Sequence, residues 1–178
     1  MYVDHSKILL NAALETGLPV WVGLSCCDSK FDNSVIGRNF RAEKEKSLIY
    51  DENKYKDQPK YLPEDKIILL EDIIKSLTSL GGDVYGIMHT WFQDSIGGLK
   101  ILKNNWKGPI MFYPEIHKFD TNTHKAIITM TEEEYSKSIL ELIDDQIQIV
   151  GGCCGVNDKH LKRLIPVSYT HLSLPTIT

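Results

Sequence analysis

The sequence predicts an α/β fold in which parallel β-strands alternate with α-helices. Short apolar runs have the length and composition of buried strands, and segments with helical spacing of apolar residues separate them. Strands that alternate with helices of this size are typical of repeated βα units on a parallel sheet. The predicted strands span residues 20–24, 84–88, 110–113 and 147–150.

The first predicted unit joins a helix to the first strand. Asp4 is suited to cap a helix that runs to Leu14, and Gly17 followed by Pro19 provides a helix stop. The strand that follows is almost continuously apolar, as expected for a parallel strand covered on both faces. Residues 28–65 break the pattern with many charged side chains, and we interpret them as a long functional loop or a poorly ordered insert.

The second and third units follow the same pattern. Helical spacing of apolar residues predicts a helix over 69–80, which Gly81 and Gly82 end before the second strand. A weaker helix near 96–102 leads into the third strand.

The last predicted unit has clear capping signals. Thr131 and Glu134 form a capping box for a helix over 132–143, which precedes the fourth strand. Asn157 is suited to cap a final helix through 159–164.

Composition and charge exclude several functional classes. The chain has 178 residues, of which 42% are hydrophobic and 25% are charged, and this balance is typical of a folded globular protein. A net charge of -4 argues against binding to nucleic acid or to an anionic membrane. No apolar run approaches the roughly 20 residues of a membrane span, and the first residues lack a secretory signal. We therefore expect a cytoplasmic protein.

The four cysteines form two adjacent pairs, Cys26-Cys27 and Cys153-Cys154. Neighbouring cysteines rarely bridge each other, because disulfide geometry fits poorly across one peptide bond. Metal binding or reactive thiols are therefore favoured over a disulfide framework.

The second pair lies within Gly-Gly-Cys-Cys-Gly, residues 151–155, between the fourth strand and the last helix. Glycines on both sides allow a sharp turn and leave room for a ligand beside the thiols. A nearby helix N-terminus favours the thiolate, which is the form that binds zinc. The alternative is a pair of small buried cysteines in a tight turn, but the flanking glycines favour a metal or reactive site.

Residues 151–155, together with 157–161, resemble the closing segment of the homocysteine S-methyltransferase family, in which Gly-Gly-Cys-Cys-Gly supplies two zinc ligands. Further segments agree with this family: residues 16–22, 25–26, 108–110, 113–114 and 148–150. The resemblance extends over residues 1–165. It implies a (β/α)8 TIM barrel with a catalytic zinc at the carboxyl ends of the strands, of which this chain would contribute the last four.

The resemblance also implies an activity. In this family zinc holds the thiol of homocysteine as a thiolate, which attacks the methyl group of a donor such as S-methylmethionine, betaine or a methylfolate. A cationic metal lowers the thiol pKa, and three protein ligands leave one position for the substrate sulfur. The implied partners are thus a small-molecule thiol, homocysteine or a relative, and a methyl donor, and the product is methionine or an analogue.

The third zinc ligand of the family is a cysteine, and His89 stands at the corresponding position here. The resemblance therefore implies a zinc site made of His89, Cys153 and Cys154. Histidine in place of a thiolate makes the site less anionic, which lowers the nucleophilicity of a bound thiolate and puts homocysteine itself in question. The alternative role of His89 is that of a hydrogen-bonded residue at a strand end.

Several other polar residues are candidates, but the sequence gives none of them a catalytic role. We expect Cys26 and Cys27 to support the structure, or to contact the metal ligands without binding the metal themselves. We expect His117 and His124, in the segment 114–130, to be solvated. His160 is expected to face solvent or its own helix turn. The candidates are His117, His124, Glu115, His160 and Asp28.

The resemblance predicts an incomplete domain. Residues 1–165 would form the C-terminal half of the barrel, and residues 166–178, which resemble a translated sequencing adapter, would be a non-native tail. A half barrel exposes two sheet edges, which predicts self-association or low stability and impaired activity. The main alternative is a half-barrel module that binds zinc or a partner without catalysis. A redox protein using adjacent cysteines is a weaker one, since Cys-x-x-Cys spacing is absent from the sequence.

Overall fold

The computed structural model describes residues 3–28, 34–37, 68–120, 123 and 125–171. Helices and strands alternate along this part of the chain, as the sequence predicts. In order they are α1 (Val3–Leu14), β1 (Trp21–Leu24), β2 (Cys26–Asp28), β3 (Val35–Gly37), α2 (Leu70–Thr78), β4 (Val84–Trp91), α3 (Phe92–Asn105), β5 (Ile110–Glu115), β6 (His117–Asp120), β7 (Lys125–Ile128), α4 (Glu132–Leu142), β8 (Ile147–Val150) and α5 (Asp158–His171).

The central sheet is parallel and contains the four predicted strands in chain order, β1-β4-β5-β8. Helix α2 lies between β1 and β4 in sequence, α3 between β4 and β5, and α4 between β5 and β8. Parallel neighbours require such crossover connections. The prediction of an α/β fold made of parallel βα units is therefore confirmed, and the carboxyl ends of all four strands meet at one edge of the sheet.

The core lies between this sheet and the helices that pack on it. Helix α2 buries four apolar side chains at helical spacing, Leu70, Ile73, Ile74 and Leu77, all at most 1% exposed. This stripe is the expected signature of a helix with one face on the core. Complete burial of such a side chain contributes about 1.5–3 kcal/mol.

Capping at the two C-terminal helices follows the sequence prediction. Thr131 Oγ1 accepts from the Glu134 N–H at 3.2 Å, and Glu134 Oε2 accepts from the Thr131 N–H at 2.8 Å. Asn157 Oδ1 accepts from the Lys159 N–H at 3.0 Å at the start of α5. The prediction for Asp4 was wrong in position, because α1 begins at Val3 and the carboxylate lies inside its first turn.

Two antiparallel hairpins were missed by the sequence analysis. Strands β2 and β3 pair so that Cys26 faces Gly37, and β6 pairs with β7 so that His117 faces Ile128. Each hairpin follows the carboxyl end of a sheet strand. The expected loop over 28–65 thus includes the short strand β3. Residues 29–33 and 38–65 of this loop lie outside the described residues, as do residues 172–178 of the expected tail.

The outer edges of the sheet belong to β1 and β8, each of which has one strand neighbour in the described part of the chain. Trp21 at the start of β1 is 55% exposed, and Ile8 and Leu9 on α1 are 64% and 71% exposed. Among the described residues, no helix combines the length and apolar character that a membrane span requires.

Cys26 connects the first hairpin to helix α3. Its side chain is 1% exposed, and its N–H donates to Thr90 Oγ1 at 3.0 Å. Burial raises the pKa of the Cys26 thiol to about 12, so the thiol stays protonated at neutral pH. A Cβ on Gly98 of α3 would lie 2.4 Å from the Cys26 sulfur, and glycine is therefore required at this crossing.

We expect Gly98→Ala to lower the free energy of unfolding by about 1–3 kcal/mol, because the added methyl group overpacks against Cys26. Urea unfolding followed by circular dichroism measures the change. Gly97→Ala on the same helix is the control: its Cβ would lie 3.1 Å from a Val35 methyl group, so the loss should be smaller. Adding Cys26→Ala to Gly98→Ala should recover part of the loss, and equal losses at Gly97 and Gly98 would contradict this account.

Candidate metal centre

The candidate site lies at the carboxyl edge of the sheet, where three neighbouring strands end. His89 is on β4, Glu115 is the last residue of β5, and Cys153 and Cys154 follow β8. Because parallel strands bring their carboxyl ends to the same edge, residues far apart in sequence meet here.

The position of the thiols is fixed by main-chain pairing that continues beyond the end of β8. Continuing the register in which Phe112 pairs with Val150 places Glu115 opposite Cys153. The hydrogen bonds of this extension run from Gly151 N–H to Phe112 O at 3.1 Å, from Cys153 N–H to Pro114 O at 3.1 Å, and from Ile116 N–H to Cys154 O at 2.9 Å. Residues 151–155, which we call the thiol loop, are therefore held like a strand against β5.

Two glycines make this loop sterically possible. A Cβ on Gly151 would lie 2.0 Å from the Tyr113 ring, so no larger residue fits where the loop crosses that side chain. Gly155 has a φ of +89°, a conformation that favours glycine. The Tyr135 hydroxyl donates to the Gly151 carbonyl and anchors the loop to α4. The predicted turn around the cysteines is thus present, and Gly151 and Gly155 are needed for its close packing and its left-handed conformation.

His89 reaches the thiol loop from a distorted strand. Nδ1 of His89 lies 3.1 Å from Sγ of Cys153. The register of β4 on β5 shifts between Met88 and Trp91, and His89 in this bulge has a φ of +49°. A left-handed conformation costs a residue other than glycine about 1–2 kcal/mol. Strained residues of this kind concentrate at functional sites.

Glu115 completes the cluster. Ligand atoms of Glu115, Cys153 and Cys154 all lie within 4.8 Å of one another, and the two sulfurs are 3.7 Å apart. Glu115 is 4% exposed, whereas Cys154 is open to solvent. The pKa of the Cys154 thiol is raised, chiefly by desolvation and further by the neighbouring Cys153 thiol and the Glu115 carboxylate. Grouping anionic donors in this way is unfavourable without a cation, and sulfur with imidazole or carboxylate is a donor set that suits zinc.

The structure brings together the three residues that the resemblance implies as ligands, with His89 beside Cys153 and Cys153 beside Cys154. Among the described residues, the group of three whose ligand atoms all lie within 4.8 Å of one another is Glu115, Cys153 and Cys154. This group contains Glu115 in place of His89. The zinc site of His89, Cys153 and Cys154 remains a prediction. Glu115 was a candidate without an assigned role, although its position two residues after the predicted strand 110–113 was a usable signal.

The other candidates lie outside this cluster. Cys26 and Cys27 are both buried in the β2–β3 hairpin, where Asp28 pairs with Val35. His160 is 3% exposed and so does not face solvent, but its Nδ1 lies 2.8 Å from Asn157 Oδ1 in its own helix turn, as expected.

The histidines of the second hairpin have separate outcomes. His117 begins β6 and is only partly exposed, with a buried Nδ1 that has no hydrogen-bond partner in the described part of the chain. The prediction of a solvated loop residue was therefore wrong for His117, because β6 pairs with β7. His124 lies outside the described residues.

Substitutions at His89 test whether its backbone is strained. His89→Gly and His89→Ala both remove the imidazole, but only alanine retains the cost of the positive φ, so we expect the glycine variant to be more stable by about 1 kcal/mol. Thermal and urea unfolding of the metal-free proteins measure the difference. Gln93 on α3 is the control, where the helix should reverse the order and favour alanine by about 1 kcal/mol. An alanine variant as stable as the glycine variant at position 89 would contradict the strain.

Comparison with known proteins identifies the family of the chain. The family model described as Homocysteine S-methyltransferase matches residues 69–166, which is more than half of the chain and includes β4, β5, β8 and the thiol loop. No curated protein matches the chain. The resemblance predicted from the sequence is thereby confirmed over this region, and the chain belongs to the homocysteine S-methyltransferase family.

Proposed function

We propose that the chain carries the metal-binding part of a zinc-dependent thiol methyltransferase, which transfers a methyl group to homocysteine or a related small thiol. The observation that carries this proposal is the meeting of Cys153, Cys154 and His89 at the carboxyl edge of a parallel sheet in a member of this family. Catalytic sites of barrels built from βα units lie at that edge.

Zinc would be held by the sulfurs of Cys153 and Cys154 and by the imidazole of His89. When bound, it supplies a Lewis acid that lowers the pKa of a substrate thiol, so that a nucleophilic thiolate is present at neutral pH. The thiol proton passes to solvent, and the thiolate sulfur then forms a bond to the methyl carbon while the bond from that carbon to the donor's leaving group breaks. The product is methionine or its analogue.

The residues of the chain contribute position and rigidity. The hydrogen bonds to Phe112 and Pro114 hold the thiol loop in register with β5, and the Tyr135 hydroxyl holds its first glycine. The bulge at His89 directs the imidazole toward Cys153. Sites with ligands held by such main-chain contacts need little reorganisation when metal or substrate binds.

We propose further that the sheet is part of a (β/α)8 barrel, of which these are the last four strands. The sequential strand order and the single neighbour of β1 and of β8 in the described residues support this proposal. The exposed Trp21 lies on the edge strand β1, which would be a surface for self-association when it is not covered by further strands. Because the thiols must be reduced to bind zinc, we expect a cytoplasmic setting.

Metal analysis tests the site directly. We expect the purified wild-type chain to retain zinc after dialysis and Cys153→Ala to lose most of it, because a thiolate ligand is removed. Cys27→Ala, which removes a buried cysteine outside the cluster, should retain zinc and is the matched control. The proposal fails if wild type and Cys153→Ala hold the same amount of zinc, measured by mass spectrometry of the metal.

Methyl transfer is tested separately from metal binding. We expect transfer of an isotope-labelled methyl group to homocysteine to require zinc, to stop with a chelator and to resume when zinc is restored. The assay uses this chain and any longer product of the same gene. Zinc binding without transfer in either form would favour the non-catalytic zinc-binding module over the enzyme.

A further inference from the structure

We propose that Glu115 is a direct ligand of the same metal, so that the protein offers a carboxylate oxygen in addition to two thiolates and an imidazole, and the substrate thiol would bind as a fifth ligand. This inference rests on the proposed zinc site. It assigns a metal-binding role to a residue that the Gly-Gly-Cys-Cys-Gly motif does not include.

The placement of Glu115 is dictated by the backbone. It ends β5, and the continued pairing of β5 with the thiol loop sets it opposite Cys153. On the other side, the β4 pairing places Trp91 opposite Glu115, two residues beyond His89. Glu115 therefore lies on the middle one of the three strands that form the site, between the imidazole and the thiols in the sheet order.

The distances admit coordination by a single ion. A carboxylate oxygen of Glu115 and the sulfurs of Cys153 and Cys154 lie within 4.8 Å of one another. In a tetrahedral site, zinc bonds of about 2.3 Å to sulfur and about 2.0–2.2 Å to oxygen place ligand atoms roughly 3.5–3.8 Å apart. The two sulfurs, 3.7 Å apart, already have this separation, and a side-chain movement of about 1 Å is enough to bring the carboxylate oxygen to it.

The carboxylate is buried beside donors that become anionic when they bind metal. Glu115 is 4% exposed, and its oxygen lies within 4.8 Å of both sulfurs of the loop. Its neighbours across the loop are two thiols that lose their protons when they bind metal. A divalent cation compensates all of these charges together.

The donor set also selects the ion. Two thiolates neutralise a divalent cation, the imidazole adds no charge, and the carboxylate gives the site a net charge of about -1. Mixed sulfur, nitrogen and oxygen donors favour zinc or cobalt(II) over magnesium, which prefers oxygen alone. A negative site also raises the electron density on any thiolate that the metal holds, which offsets the loss caused by histidine.

Glu115→Gln tests this role, because it keeps the size of the side chain and removes the charged donor. We expect the zinc affinity, measured by competition with a chromophoric chelator, to fall by at least about 10–100-fold. Loss of a residue that only supports a ligand already lowers metal affinity by this factor, and loss of a ligand should cost no less. Glu141→Gln, an exposed carboxylate on α4, is the matched control and should leave the affinity unchanged.

Cobalt(II) substitution reports whether Glu115 touches the metal. The visible d–d bands of the cobalt protein should shift in Glu115→Gln, while the sulfur-to-cobalt charge-transfer band persists because both thiolates remain. An unchanged affinity and an unchanged d–d spectrum in Glu115→Gln would overturn the inference. Cys153→Ala should reduce the charge-transfer band, which confirms the assignment of that band.

The outcomes separate this inference from the proposed function. A wild-type chain that binds no zinc overturns both. Zinc that is lost in Cys153→Ala but retained fully in Glu115→Gln overturns only the role of Glu115. If Glu115→Gln does not fold, Glu115→Asp carries the test: a shorter carboxylate should weaken zinc binding and alter the d–d bands, and unchanged values would contradict coordination.

Discussion

The candidate site depends on one backbone feature, the extension of the β5–β8 pairing past Val150 into the thiol loop. Main-chain hydrogen bonds of 2.9–3.1 Å hold Gly151, Cys153 and Cys154 against β5 as though the strand continued. This register brings the cysteines next to Glu115, and it is possible because Gly151 has no side chain to collide with Tyr113. The chemistry of the thiols is therefore positioned by the same hydrogen bonding that builds the sheet, and not by flexible side chains.

Strand β4 contributes through a departure from regular geometry. Its bulge places His89 at a φ of +49° with its imidazole beside Cys153, while the neighbouring Thr90 is buried and its Oγ1 accepts the Cys26 N–H at 3.0 Å. The core around Thr90 thus holds a conformation that costs His89 free energy. A fold that accepts such a cost at the carboxyl edge of its sheet, in a family of methyltransferases, is consistent with a site maintained for function.

Elements that are buried on both faces have a simple pattern and could be predicted from the sequence. The four sheet strands were located because parallel strands covered by helices are continuously apolar, and the capping box of Thr131 and Glu134 marked its helix. The β2–β3 hairpin was missed because its strands are three residues long, and β6–β7 because exposed residues such as Ile127 and Ile128 do not mark a buried face. For His160 the sequence left two alternatives open, and the packing of its ring on Tyr135 selects the helix turn over solvent.

The sequence by itself determined the family and the residues of the thiol loop, because glycines beside adjacent cysteines at a strand end form a local pattern with local causes. It also predicted, from the resemblance, that His89 stands where the family has a cysteine. Only the tertiary structure decided which distant side chains join those thiols. Glu115 and His89 reach Cys153 through strand register and a bulge, and both depend on pairing between segments separated by 38 to 64 residues, which no local pattern encodes.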